Sequence, residues 1–188
     1  MLARAISRTQ RPLTRIEFDQ LVEAGVFENE RVELVRGEVV EMSPIGPDHC
    51  DVVEVLTEVL VPALKGRART RVQSAFAASD DSEPQPDLLI VDGRIPRGQH
   101  RHPDAALLAI EVAESSLKYD RTVKAKLYAE AGIKEYWVFD VSRGAVEVFS
   151  CLRDGAYQEI QHYSRHETIH LSDFPDVAVV LSDVFPSP

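Results

Sequence analysis

Two acidic residues stand where a folded chain seldom leaves a carboxylate without a partner. Asp87 follows Pro86 and opens the apolar run Leu88–Val91, and Glu111 closes the run Ala106–Ile110. A carboxylate held against buried strands is costly unless it meets a counter-charge, a metal ion or a water-filled cleft. Alone, either residue reads as a strand-end cap or as half of an ion pair. On strands that lie side by side they match the donor set of Mg²⁺: one or two carboxylates, completed by water and a substrate phosphate. Lys124 is the third candidate. It lies four residues before Tyr128, at the edge of the helical stripe Val123, Leu127, Tyr128 and Ala131. It can therefore aim back at a sheet, whereas Lys126 points roughly the other way. Its other reading is an i,i+4 pair with Asp120 on the helix surface.

These groups need elements to position them. Residues 1–12 read as a loose arm, and residues 13–188 as one domain, a length that buries a sufficient core. Thr14 and Glu17 form a capping-box pair for a helix that Gly25 ends. Residues 31–42 alternate around Arg36-Gly37, the pattern of a hairpin. A helix follows over 48–64, with Val52, Val53, Leu56, Val59, Leu60 and Ala63 on one face and Pro62 near its end. Strands are expected at 68–78, 88–91 and 105–112. The last two are continuous apolar runs of the kind buried on both faces. A helix over 118–131 closes at Gly132. Strands at 134–140 and 145–150 turn through residues 142–144, and a further strand lies near 156–163. The pattern predicts an α/β (α+β) domain with a mixed central sheet flanked by helices.

The net charge of −10 argues against a protein that grips nucleic acid by bulk charge. The basic residues are nevertheless grouped. Arg4, Arg8, Arg11 and Arg15 form one run, Lys65, Arg67, Arg69 and Arg71 a second, and Arg94, Arg97, His100, Arg101 and His102 a third. Each reads as a solvated segment; together they leave room for a local phosphate-binding rim. The two cysteines, Cys50 and Cys151, lack metal-ligand spacing and read as reduced thiols of a cytoplasmic protein. No apolar run has the roughly 20 residues of a membrane span.

In order along the chain, ELVRGEVVEMSPIGPDH, QPDLLIV and AIEVAESSLKYDRTVKAKLYAEAGIKEYWVFD resemble the Uma-type endonuclease family. That family belongs to the PD-(D/E)xK restriction-endonuclease-like superfamily. The resemblance spans roughly residues 12–185. It implies a metal-dependent endonuclease that hydrolyses DNA phosphodiesters with Mg²⁺ or Mn²⁺. Asp87 and Glu111 would be its metal-binding acids, and the Val112 carbonyl a further ligand. The superfamily lysine normally lies two residues after the second acid, where this chain has Ala113. In the Uma-type pattern the following helix supplies it, which points to Lys124. Glu33 in the hairpin and His49 at the start of the next helix match two further positions of that pattern. Their alternatives are an exposed hairpin acid and a helix-start histidine.

His166-Glu167-Thr168-Ile169-His170 fits the HExxH string of zinc hydrolases. That chemistry needs both histidines on one helix face. β-Branched Thr168 and Ile169, with Pro175 close behind, argue for a strand and loop instead. Tyr136, Trp137 and Phe139 read as packed strand residues rather than a base-stacking surface. Two functions remain beside the zinc reading: an active DNA endonuclease, or a nuclease-like module that binds nucleic acid or protein without cutting. The hairpin and paired strands would permit a homodimer.

Overall fold

A computed structural model describes residues 11–96 and 101–185. Arg4, Arg8, Arg97 and His100 lie outside the described residues. Thr14 caps α1 (Arg15–Glu23): Glu17 N–H donates to Thr14 Oγ1 at 3.3 Å, and Thr14 N–H donates to the Glu17 carboxylate at 2.9 Å. The hairpin β1 (Val32–Val35) and β2 (Glu38–Glu41) turns at Arg36 and Gly37, both at positive φ (52° and 76°). That is the backbone of a tight two-residue hairpin turn. A Cβ on Gly37 would lie 2.2 Å from Pro12 Cβ, so the incoming chain also requires the glycine.

Helix α2 (Pro47–Ala63) leads to β3 (Ala68–Val72), β4 (Leu88–Asp92) and β5 (Leu108–Ala113). The next helical stretch has three parts: α3 (Leu117–Tyr119), a π-helical segment (Asp120–Lys124) and α4 (Ala125–Glu130). Then follow β6 (Glu135–Asp140), β7 (Ala145–Arg153), β8 (Ala156–Ser164), β9 (Thr168–Leu171), β10 (Phe174–Val180) and the short α5 (Leu181–Val184). Six strands form one mixed sheet in the order β3-β4-β5-β6-β7-β8. Only β5 and β6 are parallel, joined through the α3–α4 crossover.

Period-two alternation sends the sheet's side chains to two cores. Leu88, Ile90, Leu108, Ile110 and Trp137 pack against Val52, Leu56 and Leu60 of α2, with Ile169 and Val179 of the last hairpin joining them. Leu89, Val91, Ala109, Tyr136 and Val138 pack with Ala125 and Tyr128 of α4 and with Phe76. Strands β5 and β6 are buried along their whole length, as continuous apolar runs require. Tyr136, Trp137 and Phe139 are all inaccessible, so they are core.

Three differences from expectation concern the elements around the cleft, and β7 runs on to Arg153 beyond the expected 145–150. The strand expected over 68–78 stops at Val72, because Gln73 has φ 42° and turns the chain out of the ladder. The strand expected from 105 starts at Leu108, where pairing with Ile90 begins. The single α-helix expected over 118–131 contains the π-helical segment. Residues 168–171 are strand, so the HExxH string is not helical; Glu167 instead accepts from Ser164 N–H and Oγ in a turn. Among the described residues, no helix is long and apolar enough to cross a membrane.

Candidate active site

The ladder between β4 and β5 stops at the Leu88–Ile110 pair, so β5 runs on alone on that side. Asp87 fills the gap. Its Oδ2 accepts from Val112 N–H at 2.9 Å, replacing the missing strand partner. Its Oδ1 lies 3.1 Å from His49 Nε2 and 3.5 Å from the Gln73 side-chain amide. Glu111 is on the same overhang, and its Oε1 accepts from Lys124 Nζ at 2.9 Å and from the Tyr128 hydroxyl at 2.7 Å. Lys124 Nζ is also 2.9 Å from Glu33 Oε2, which accepts from Gln85 N–H at 3.0 Å. The hairpin thus delivers Glu33 from β1, held in place by the paired backbones of Leu34 and Glu83.

All six predicted positions, Glu33, His49, Asp87, Glu111, Val112 and Lys124, line one cleft of about 210 Å³. Glu33 is not an exposed hairpin acid, being 4% exposed, and His49, in the first turn of α2, is itself buried at 8%. Lys124 is not a surface lysine either; it is 4% exposed. Its placement depends on the π-helical segment, marked by the bond from Ala125 N–H to Asp120 O, five residues back. Such a widened turn changes which side chains share a face and recurs at functional sites.

Sequence reasoning missed two cleft residues, Tyr119 and Asp120. Asp120 accepts from the Ser116 hydroxyl and is buried. The Tyr119 hydroxyl is buried in the cleft with no partner among the described residues. The local signal was the spacing Ser116-x-x-x-Asp120, which reads equally as an ordinary helix start.

The electrostatics are those of crowded acids in a desolvated space. Burial pushes the Glu111 carboxyl well above the ordinary range; Lys124 opposes this, while Asp120, Asp87 and Glu33 add to it. Burial also drives Asp120 up to about 6, against the pull of Lys124 and the Ser116 hydrogen bond. For Lys124, burial works against the ammonium, but Glu111, Glu33 and Asp120 outweigh it and raise its pKa. Glu111 and Lys124 thus both rise, and they compete for a proton across one contact. With three carboxylates facing it, the ammonium is the form that prevails. Burial, reinforced by Glu33, lifts the Tyr119 phenol to about 12, so it stays a donor.

The Uma2 family, described as "Putative restriction endonuclease", matches residues 16–182. The chain belongs to the Uma2 family. Among solved structures, it is similar to a putative nuclease belonging to DUF820 from Anabaena variabilis ATCC 29413. The TM-score is 0.70 at 19% identity, covering 93% of this chain and 98% of that one. At that identity the likeness establishes the fold alone: the two chains share the mixed sheet and its flanking helices. No curated protein matches the sequence. In this Uma2 chain the family match encloses every cleft residue named above, from Glu33 to Lys124.

Proposed function

We propose that this Uma2 protein is a metal-dependent endonuclease acting on DNA, with Asp87 and Glu111 as its metal-binding acids. One observation carries the reading: Lys124 Nζ lies 2.9 Å from both Glu33 and Glu111 in the cleft that also holds Asp87. The donor set suits a hard divalent ion. Four buried carboxylates, Glu33, Asp87, Glu111 and Asp120, face one lysine, which leaves an excess of negative charge. Among the described residues, no group of three or more His, Cys, Asp or Glu side chains stands ready to hold a metal. Asp87 and Glu111 would serve Mg²⁺ or Mn²⁺, which takes one or two carboxylates and completes its shell with water and phosphate. Val112 supports the set, because in a strand the carbonyl of a residue leaves on the same side as its N–H, here toward Asp87.

When bound, the ion lowers the pKa of a coordinated water and stabilises charge on the phosphate. The protein's own groups do the rest. His49, Gln73 and Val112 N–H fix the Asp87 carboxylate in orientation. Tyr128 and Lys124 occupy Glu111 Oε1, leaving Oε2 as the atom to face the ion. Lys124 is held protonated, so its part is to orient the water or neutralise charge on the phosphate, not to accept a proton. Its position on the helix substitutes for a lysine at Ala113, whose side chain is buried among the core residues beneath α4.

Plasmid nicking tests the reading, with and without Mg²⁺ or Mn²⁺, beside Asp87→Ala, Glu111→Ala and Lys124→Ala. Metal-dependent nicking lost in all three supports it. A folded wild type that nicks under neither metal overturns it and leaves a nuclease-like binding module.

A further inference from the structure

Parts of the second and third basic runs, far apart in sequence, share one groove: Arg69 and Arg71 with Arg101 and His102. Strand β3 is an outer strand of the sheet, and its sequence ARTRV alternates. Arg69 lies opposite Val91 and Arg71 opposite Leu89, so both guanidinium stems leave on the face of those two residues. Ile95, Arg101, His102, Pro103 and Asp104 share the lining of a groove of about 630 Å³, and Asp104 pairs with Arg101 at 3.7 Å.

Two features separate this groove from a merely solvated basic stretch. The first is charge. In a chain of net charge −10, neither Arg69 nor Arg71 has a carboxylate at ion-pair distance among the described residues. Their neighbour Arg67 does, at 2.8 Å from Asp176. Arg69 Nη1 donates to the carbonyls of Gly93 (3.3 Å) and Ile95 (2.6 Å), and Arg71 Nη2 donates to Ser74 Oγ at 2.6 Å. Neutral acceptors take their hydrogen bonds; the charge of Arg69 also acts on Asp92, while Arg71 enters no ion pair among the described residues. Arg71 Nε is in addition a buried donor with no acceptor among the described residues. The second feature is position. Gln73 N–H donates to the Asp87 carbonyl at 2.8 Å, which ties the end of this strand to the candidate site. Stepping back two residues at a time, Arg71 and Arg69 lie roughly 7 and 14 Å along the strand from Gln73. An extended nucleic-acid strand repeats its phosphates at comparable intervals.

We infer that the β3 groove seats the phosphodiester backbone of DNA leading away from the cleft, with Arg71 and Arg69 on successive phosphates. This rests on the nuclease reading above and extends it to the path of the substrate. It also explains how an acidic protein holds a polyanion. The cleft itself repels phosphate, and a row of fixed arginines beside it supplies the attraction.

The test is binding of a fluorescein-labelled 20-base-pair DNA duplex, followed by anisotropy across a salt series with Ca²⁺ as the ion. Arg71→Gln weakens binding about fivefold to tenfold at 0.1 M salt and lowers the slope of log K against log salt by about one. Arg69→Gln/Arg71→Gln lowers the slope by about two. Arg153→Gln, which removes the same charge from the distant β7–β8 turn, leaves affinity and slope unchanged. Because Arg69 also clasps two carbonyls, Arg69→Lys serves as the variant that keeps charge, and it retains the wild-type slope. Folded Arg71→Gln with wild-type affinity and slope overturns the inference. Nicking by the same preparations separates the two readings. Wild-type nicking with undisturbed binding by Arg71→Gln ends this inference alone, whereas undiminished nicking by Asp87→Ala ends the site assignment and leaves the groove result standing.

Discussion

Lys124→Met tests the centre of the cleft without leaving a large cavity. In the wild type, Lys124 Nζ is 2.9 Å from both Glu33 Oε2 and Glu111 Oε1, and all three side chains are nearly inaccessible. Removing the cation leaves two buried carboxylates without their partner, a change that costs about 3–5 kcal/mol when a buried pair is broken. With a urea m-value of about 2 kcal/mol/M, the midpoint falls by about 2 M. The pH dependence has a definite sign. The raised Lys124 pKa gives the wild type stability that is fully present below the ordinary lysine value of 10.5 and lost as pH rises through the folded value above it. In the variant Glu111, already raised by burial and now without Lys124, takes up a proton more readily than in the unfolded chain, so stability falls as pH rises above 4.5. The deficit against wild type is therefore largest near pH 8 and shrinks toward pH 5. Mn²⁺ at a hundred times its Kd returns about 2.7 kcal/mol if it takes these carboxylates. Urea titrations at both pH values, with and without Mn²⁺, read all of this. An unchanged midpoint at pH 8, or a deficit that grows on acidification, refutes the reasoning.

Three further outcomes are expected. Tyr119→Phe removes a buried hydroxyl with no partner, so thermal stability holds or rises, while nicking drops by about 10²-fold if the phenol donates to the phosphate; wild-type nicking excludes that role. Burial, reinforced by Asp19, raises the Glu83 carboxyl to about 7, so its native contacts lose stability as pH climbs from 4.5 through 7. Glu83→Gln should accordingly melt above wild type at pH 8 and with it at pH 4, and equal Tm values at pH 8 contradict the assignment. His166→Ala leaves the zinc content measured by elemental analysis at the wild-type level, because the histidine belongs to a turn and strand; stoichiometric zinc lost with the substitution would restore the hydrolase reading.

The parts of this molecule that were legible in the sequence are those written in a local period. The doubly buried strands β4, β5 and β6 appear as unbroken apolar runs, and the face of α2 appears at helical spacing, because each residue there answers to one core. Asp87 and Glu111 were visible for the opposite reason: they interrupt the ends of such runs. Glu33 was visible only through family resemblance. Its hairpin alternates like any half-solvated one, and the groups that bury it are Gln85 N–H and Lys124, distant in sequence. Tyr119 gave no signal, and Asp120 read only as a surface partner of Lys124, because helical phase assumes 3.6 residues per turn while the π-helical segment widens the turn at Asp120–Lys124.

That widened turn has a cause that sequence alone hides. An uninterrupted α-helix at 118–131 would have had to satisfy its own hydrogen bonds and the sheet's packing with Lys124 at the margin of its apolar face. The structure gives up one turn of regular bonding instead, and Lys124 is carried inward to Glu111 and Glu33 while Tyr128 stays in the core. The compensation is electrostatic. A lysine is stable at 4% exposure here because buried acids surround it, and the acids outnumber it. The same surplus that draws the lysine in leaves more buried carboxylates in the cleft than one ammonium can neutralise. It is on this residual negative charge, more than on any single residue identity, that the proposal of a divalent cation in the cleft rests.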